Sequence, residues 1–422
     1  MNTPGSENSE HVVHLATWAY GGEVMGRLED GRAVFVPFTL PGEQARIRLT
    51  EEKPRYARGE VVTLLETAAD RVPPRCPLYG QCGGCHYQHV AYPAQLAAKA
   101  AIVRDQLSRI GGFPDPSVAA TVPSPQPWGY RNHIQLHLSP EGQLGFRARR
   151  SERVVPAQDC LLAAQPLRDL MPVLEFDPES GIERVHLRVG AGDELLIWLR
   201  GQAPTPPAFS VDFPLSAVYS NPQGEEFVLA GRGFLVMEAL GKTFRVSAPS
   251  FFQVNTPVAE AIITHLLENL PLDASTTLLE LYSGVGLFSA FLAPRVGQLI
   301  AVESSPTACY DFGINLAEHD HVALYEAPVE MTLPHLQREG LHPDIVVLDP
   351  PRSGLPREAL DSLVALAPQT IAYVSCDPAT LARDGKRLAR HGYRLRRITP
   401  FDMFPQTYHI ETVSIWERVT AP

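Results

Sequence analysis

Apolar and polar positions divide this chain into stretches of different period. Between His14 and Leu65 they alternate around Gly turns in five short runs: His14 to Tyr20, Val24 to Leu28, Arg32 to Phe38, Ala45 to Thr50 and Gly59 to Leu65. Alternation of period two buries one face of a strand, so five such runs at close spacing predict a small OB-like β-barrel. From Tyr92 to Ile110 the period lengthens. Leu96, Ala100, Val103, Leu107 and Ile110 recur at helical spacing, and Gly111-Gly112 supplies the stop. Residues 118–245 return to short runs (Ile134 to Leu138, Val185 to Val189, Leu195 to Arg200, Phe227 to Leu229), which predict an antiparallel, strand-rich central domain. From Ser250 onwards strand and helix patterns alternate, the signature of an open parallel α/β sheet.

The α/β stretch carries the densest candidate chemistry. Leu278-Leu279-Glu280-Leu281 runs into Tyr282-Ser283-Gly284-Val285-Gly286 and then into the helix-capable Leu287 to Leu292. A buried strand handed through a Gly-x-Gly turn to a helix is a common seat for a nucleotide-type ligand. A second strand, Gln298 to Val302, ends in Glu303, about 20 residues beyond the turn, where doubly wound sheets place a ribose-binding carboxylate. Strand Ile345 to Leu348 delivers Asp349-Pro350-Pro351-Arg352 to the same edge, and Thr370 to Val374 delivers Ser375-Cys376-Asp377-Pro378. The chain closes on His409-Ile410-Glu411-Thr412 before a last strand, Val413 to Trp416. Cys376, between a strand and a Pro loop, is placed to expose its sulfur, whereas Cys309, in a helix beside Ala308 and Tyr310, reads as an inert core thiol.

Composition narrows the class. A length of 422 residues calls for two or three domains, and 45% hydrophobic with 20% charged residues is ordinary for a globular chain. No apolar run is long enough for a membrane span and Met1 to Glu10 lacks a signal-peptide core, so cytoplasmic residence is expected. There a cysteine serves metal binding or catalysis before disulfides. Cys76, Cys82 and Cys85 lie close together with Gly83-Gly84 between the last two, and Cys160 is the nearest candidate for a fourth ligand. All-thiolate ligation suits an iron–sulfur cluster or a structural zinc, and spacing does not decide between them. The net charge of −11 argues against non-specific coating of nucleic acid but leaves room for a local basic surface. The basic runs Arg147, Arg149, Arg150, Arg153 and Lys386, Arg387, Arg390, Arg394, Arg396, Arg397 read first as solvated faces.

Two resemblances add to this reading. Gly22-Glu23-Val24-Met25-Gly26, Gly31 to Pro37 and Leu40-Pro41-Gly42-Glu43 resemble the TRAM domain of RNA-modifying enzymes. Phe251-Phe252-Gln253-Val254-Asn255, the Tyr282 to Gly286 turn, Asp349 to Arg352, Ser375 to Pro378 and His409 to Thr412, with the cysteine cluster, resemble the RNA uracil-5 methyltransferases over nearly the whole chain. The branch most similar acts on 23S ribosomal RNA and carries a [4Fe–4S] cluster.

That resemblance implies S-adenosylmethionine as methyl donor, Cys376 as nucleophile and Glu411 as base. Gln253, Tyr282, Gly284, Gly286, Glu303 and Asp349 are then expected around cofactor and target base, and Cys76, Cys82, Cys85 and Cys160 around the cluster. The expected division is a TRAM barrel over 10–67, an iron–sulfur and RNA-binding domain over 68–92 and 120–245, and a Rossmann-like methyltransferase domain over 93–119 and 246–422. RNA is the expected partner, no protein partner is inferred, and Phe251 or Phe252 is a candidate stacking surface. Open alternatives are the same chemistry on transfer RNA, an amino-group methyltransferase using Asp349-Pro350-Pro351, and a non-catalytic RNA-binding protein.

Overall fold

The computed structural model describes residues 10–419. Five strands (Glu10–Ala19, Glu23–Arg27, Ala33–Pro37, Gln44–Glu52 and Tyr56–Glu66) close into a barrel, the first pairing with both the second and the fourth. The period-two alternation decides what fills it: Val13, Leu15, Val24, Val34, Val36, Ala45 and Ile47 form its core while their sequence neighbours face outwards.

The helix Tyr92–Gln106, continued by a π turn over Leu107–Gly111, buries only part of the stripe its apolar spacing predicts: Val103 and Leu107 are inside. Its buried face is Gln95, Ala98, Lys99, Ile102, Val103 and Gln106, while Leu96 and Ala100 are only half-buried and Ile110 is exposed. The rotation follows from polar partners that the periodicity cannot show. Lys99 Nζ donates to Asp402 Oδ1 at 2.5 Å and to the Phe404 carbonyl at 3.0 Å, and Gln95 Nε2 donates to the carbonyls of Tyr87 and Val90. A buried lysine is tolerated only when so paired, and the pair ties the helix to the C-terminal stretch.

The central sheet has seven strands in the order Glu226–Ala230, Ser216–Ser220, Leu195–Gly201, Ile182–Val189, His133–Leu138, Leu144–Arg147 and Val154–Pro156. It departs from the expected antiparallel arrangement at one place, since Leu195–Gly201 and Ser216–Ser220 run parallel, joined by the long connection over 202–215. Ile134, Leu136, Val185, Leu187, Ile197 and Leu199 form the core on one face.

The C-terminal sheet is also seven-stranded: Val322–Glu326, Gln298–Glu303, Thr277–Leu281, Ile345–Leu348 and Thr370–Ser375 in parallel, then Glu411–Arg418 and Tyr393–Phe401 antiparallel. Successive strand residues enter different cores: Leu278, Ile345 and Val347 pack under helix Thr256–Asn269, and Leu279, Val346 and Leu348 under Val329–Arg338 and Arg357–Ala365. The hairpin Phe234–Ala239/Lys242–Ser247 shares the first of these cores through Met237, Ala239, Phe244 and Val246, and residue 245 lies inside it. The helix expected over Leu287 to Leu292 is only Ser289–Leu292; residues 284–288 are turns. Among the described residues no helix is long and apolar enough to cross a membrane.

Candidate active site

The carboxyl ends of the parallel strands meet along one edge. Gly284, at φ +55°, has nothing within 4 Å of where a Cβ would stand, so the turn opens onto free space on that side. Gly286, at φ +88°, is closed instead: a Cβ there would stand 3.0 Å from the Phe312 ring, which pins the turn to helix Pro306–Asn315. Tyr282 holds a left-handed backbone, φ +62°, an uncommon state for a residue with a side chain and one that collects at functional sites. The Glu303 carboxylate spans the edge. It accepts from Gly284 N at 2.9 Å and from Ser304 and Ser305 N at 2.8 Å, binding the glycine turn to the next loop. A carboxylate has about four lone-pair sites, so three acceptances leave room for a ligand hydroxyl. Ser283 Oγ is buried and has no hydrogen-bond partner among the described residues. An open glycine turn, an orphaned hydroxyl and a carboxylate with spare capacity fit a ribose-bearing cofactor.

Sequence reasoning passed over Glu280, on the same strand. It is fully buried, takes a 2.5 Å bond from Ser289 Oγ, and is pushed up to about 8 by burial.

Further along the edge, strand register does what primary structure does not. Ser375 pairs with Thr412 at the end of the antiparallel ladder; Cys376 follows that strand's last residue and Glu411 opens the other strand, which brings the two within electrostatic reach of one another. Glu411 is buried, and its Oε1 lacks a hydrogen-bond partner among the described residues. Burial, then Asp349, raise its pKa well above the carboxylate range, while Arg352 acts the other way. Asp349 is pushed up to about 7 by burial, with the Gln253 amide 3.4 Å from its Oδ2. Cys376 is half-buried, and its thiol is pushed up to about 12 by burial, then by Glu411 and Asp349; Arg352 again opposes them.

Arg352, the last residue of Asp349-Pro350-Pro351-Arg352, has no role assigned by the sequence. Its Nη2 donates to His409 Nδ1 at 3.2 Å, and burial holds that imidazole neutral by pushing it down to about 2. Of the aromatic pair, Phe252 is 3% exposed and belongs to the core, whereas Phe251 is 64% exposed. Cys309 is buried, as its setting suggested.

Cys76, Cys82, Cys85 and Cys160 line one cavity of about 350 Å³, with Arg131, Arg352 and His409 on the same wall. Cys82 and Cys85 each lie within electrostatic reach of Cys160, and burial pushes them up to about 11 and about 12. No three His, Cys, Asp or Glu side chains among the described residues converge as donors to one metal ion.

The barrel reaches the loop after Cys376 directly. Tyr20 OH donates to Asp377 Oδ2 at 2.9 Å, while Asp377 Oδ1 caps helix Pro378–Arg390 by accepting from Ala379 and Thr380 N. Gly22, at φ +83°, lies so close to His86 and Tyr408 that a Cβ would come within 3.1 Å and 3.2 Å of them. Nothing in the local pattern marked Tyr20. Beside this contact opens a second cavity of about 480 Å³, bounded by Gly21, Gly83, Gly84 and His86 and by Arg147, Arg149, Arg150, Arg352 and His409. Glu23 is the counterion here, accepting from Arg58, from Arg149 Nη2 at 3.0 Å and from Arg150 Nη2 at 2.9 Å. The C-terminal basic run is a solvated face as expected: Arg387 pairs with Asp361 and Arg396 with Glu417.

A barrel docked on a nucleotide-type α/β edge, with a thiol facing a carboxylate beside a basic groove, has the architecture of an RNA-modifying enzyme. The TRAM domain family matches residues 15–62, and the family described as tRNA (Uracil-5-)-methyltransferase matches residues 331–419. An uncharacterized RNA methyltransferase of Streptomyces avermitilis is 34% identical over 429 residues, covering 97% of this chain and 98% of its own. Another, from Thermosynechococcus vestitus, is 35% identical over 436 residues, covering 96% and 97%. The crystal structure of Pyrococcus abyssi tRNA (uracil-54, C5)-methyltransferase in complex with S-adenosyl-L-homocysteine is similar over 96% of this chain and all of that one, with a TM-score of 0.72 and 25% identity. The chain belongs to the RNA uracil-5 methyltransferases and is an RNA-methylating enzyme.

Proposed function

We propose that this enzyme methylates carbon 5 of a uridine in 23S ribosomal RNA, through a covalent adduct between Cys376 and the uracil ring. The observation that supports this reading is that the Cys376 thiol lies within electrostatic reach of Glu411, with one Glu411 oxygen buried and without a hydrogen-bond partner among the described residues. Carbon 5 of uracil is a poor nucleophile. Addition of the Cys376 thiolate at carbon 6 turns the ring into an enolate whose carbon 5 is nucleophilic. Glu303, Tyr282 and the Gly284–Gly286 turn, open on the Gly284 side, would hold S-adenosylmethionine, which would supply the methyl group and leave as S-adenosylhomocysteine. Gln253 and Asp349 would orient the ring. Glu411 then takes the proton from carbon 5, the electron pair re-forms the double bond, and the Cys376 sulfur leaves carbon 6. Arg352 is the cation acting on Cys376 and Glu411, and it favours the charged form of both.

Cys76, Cys82, Cys85 and Cys160 would hold a [4Fe–4S] cluster, which ties loop 76–85 to the segment at 160. Four thiols lining one cavity support it, and the same all-thiolate set would also suit a structural zinc. Iron and sulfide in anaerobically purified protein test it; zinc without iron would remove it. In this reading the three parts of the chain, 10–67, 68–92 with 120–245, and 93–119 with 246–422, respectively grip RNA, carry the cluster and methylate, in the cytoplasm.

The second reading is transfer RNA as substrate. It is favoured by the solved structure of a transfer RNA enzyme of the same shape. Labelled methyl transfer to unmodified 23S ribosomal RNA and, separately, unmodified transfer RNA, with nucleoside analysis, decides between them. 5-Methyluridine in the transfer RNA alone overturns the substrate and keeps the chemistry.

A further inference from the structure

The central sheet has a second face, opposite its core, that the active site does not use. Register defines it in two rows. Gln135, His186 and Trp198 stand side by side on neighbouring strands, and beside them His137, Arg184, Arg200 and Ser220. The rings are arranged: His186 lies 4.4 Å from Trp198 and 5.4 Å from His133, stacked on the latter, and the Arg200 guanidinium sits 5.3 Å over the Trp198 indole. His186 is 8% exposed, yet its Nε2 has no hydrogen-bond partner among the described residues.

The charge here is one-sided. Arg184 and Arg200 are in no ion pair with a described residue, although the whole chain carries −11, and a carboxylate of this row, Glu226, appears only at the outermost strand. The groups acting on His186 are Arg200, Arg188, Arg184 and His137, all of one sign. Strand hairpin Phe234–Ala239/Lys242–Ser247 covers Arg188 and the far row, where Arg188 donates to the Ser247 and Ser250 carbonyls, but leaves Gln135 and Arg200 exposed. Gln135 and His137 also line the groove that ends at Arg352 and His409. The face and the active-site entrance are therefore one continuous surface.

We propose that this sheet face binds single-stranded RNA flanking the target uridine, with a base stacked on Trp198 and phosphates held by Arg184 and Arg200. Unpaired cations match a polyanion, and a partly exposed indole beneath a guanidinium offers a base a sequence-tolerant stacking surface. The inference rests on the reading of RNA as substrate and adds a site beyond the reacting nucleotide.

Binding of the full chain to a long and to a short oligouridylate, followed by fluorescence anisotropy across a salt series, tests it. Arg184→Ala/Arg200→Ala should weaken the long oligouridylate about tenfold and flatten its log–log salt slope by about 1.4, the loss of two single-strand phosphate contacts at about 0.7 each. The short oligouridylate should bind as to wild type. Long-oligouridylate binding should also quench indole emission in wild type and lose that quench in Trp198→Phe. Unchanged affinity, slope and quench in variants with wild-type circular dichroism would overturn the proposal. Wild-type methyl transfer, assayed separately on ribosomal and transfer RNA, keeps the two readings apart: transfer with unchanged long-oligouridylate binding in the variants removes only the sheet-face site.

Discussion

Arg352 stands between two regions of opposite electrostatic design. On its inner side Cys376, Glu411 and Asp349 are acids pressed together under cover, and each is held towards its protonated form by burial. On its outer side Arg147, Arg149 and Arg150 line an open groove with Glu23 as their shared acid. Burial makes the inner groups costly to ionise. The outer ones, clustered around one carboxylate, suit a polyanion. Burial makes a site for proton transfer, and exposure with excess charge makes a site for grip.

The strongest way to break this contrast is at the thiol. Cys376→Ala should lower methyl transfer by at least about 10⁴-fold, since without the sulfur carbon 5 is never activated. Full activity would instead indicate amino-group chemistry. Next is Glu411→Gln, which should slow turnover about 10²–10⁴-fold and leave a protein–RNA adduct visible on a denaturing gel; normal turnover with no adduct would remove Glu411 as the base.

The inner region also sets a pH response. In the proposed covalent route Cys376 and Glu411 react in their deprotonated forms, and burial raises both groups above their ordinary values. Rate should therefore be suppressed at low pH and climb as pH rises from 6 towards 9, read as kcat/KM on a fixed RNA. A flat response would mean that neither deprotonation limits the reaction. Arg352→Ala should cost about 10–100-fold in rate, with the ascending limb displaced to higher pH because its cation no longer favours the thiolate. Loss of RNA affinity alone, at unchanged rate and pH limb, would assign Arg352 to the outer region.

The smallest effect belongs to the groove. Glu23→Gln should lower barrel stability by roughly 1–2 kcal/mol in denaturant unfolding, less than for a fully buried pair because its arginine partners are partly exposed. The same variant should bind RNA slightly more tightly, with a steeper salt dependence. Weaker binding would show that Glu23 positions the arginines more than it neutralises them.

Much of the catalytic edge was legible because short motifs record local backbone demands. The Gly284–Gly286 turn needs positive φ at both glycines, and Asp349 directly, and Cys376 one serine later, follow an apolar run that reads as a buried strand. The barrel was legible for the same reason, as each strand's alternation is self-contained. The helix Tyr92–Gln106 was misread at its buried face because its decisive partners lie some 300 residues away. Lys99 looks like a surface residue until Asp402 is placed beside it. Tyr20 was silent because a tyrosine ending a barrel strand has no local feature that predicts its bond to Asp377.

By itself, then, the order of residues determined the succession of strands and helices, the open glycine turn and which side chains crown the α/β sheet, since each depends on neighbours within a few positions. Tertiary structure alone decided that Glu411 comes within electrostatic reach of Cys376, that Cys160 lines the same cavity as Cys76, Cys82 and Cys85, and that Arg352 lies between a buried acidic cluster and a groove lined by arginines. Those relations depend on strand register and long-range packing, where hydrogen-bond ladders and buried ion pairs join segments that no local pattern connects.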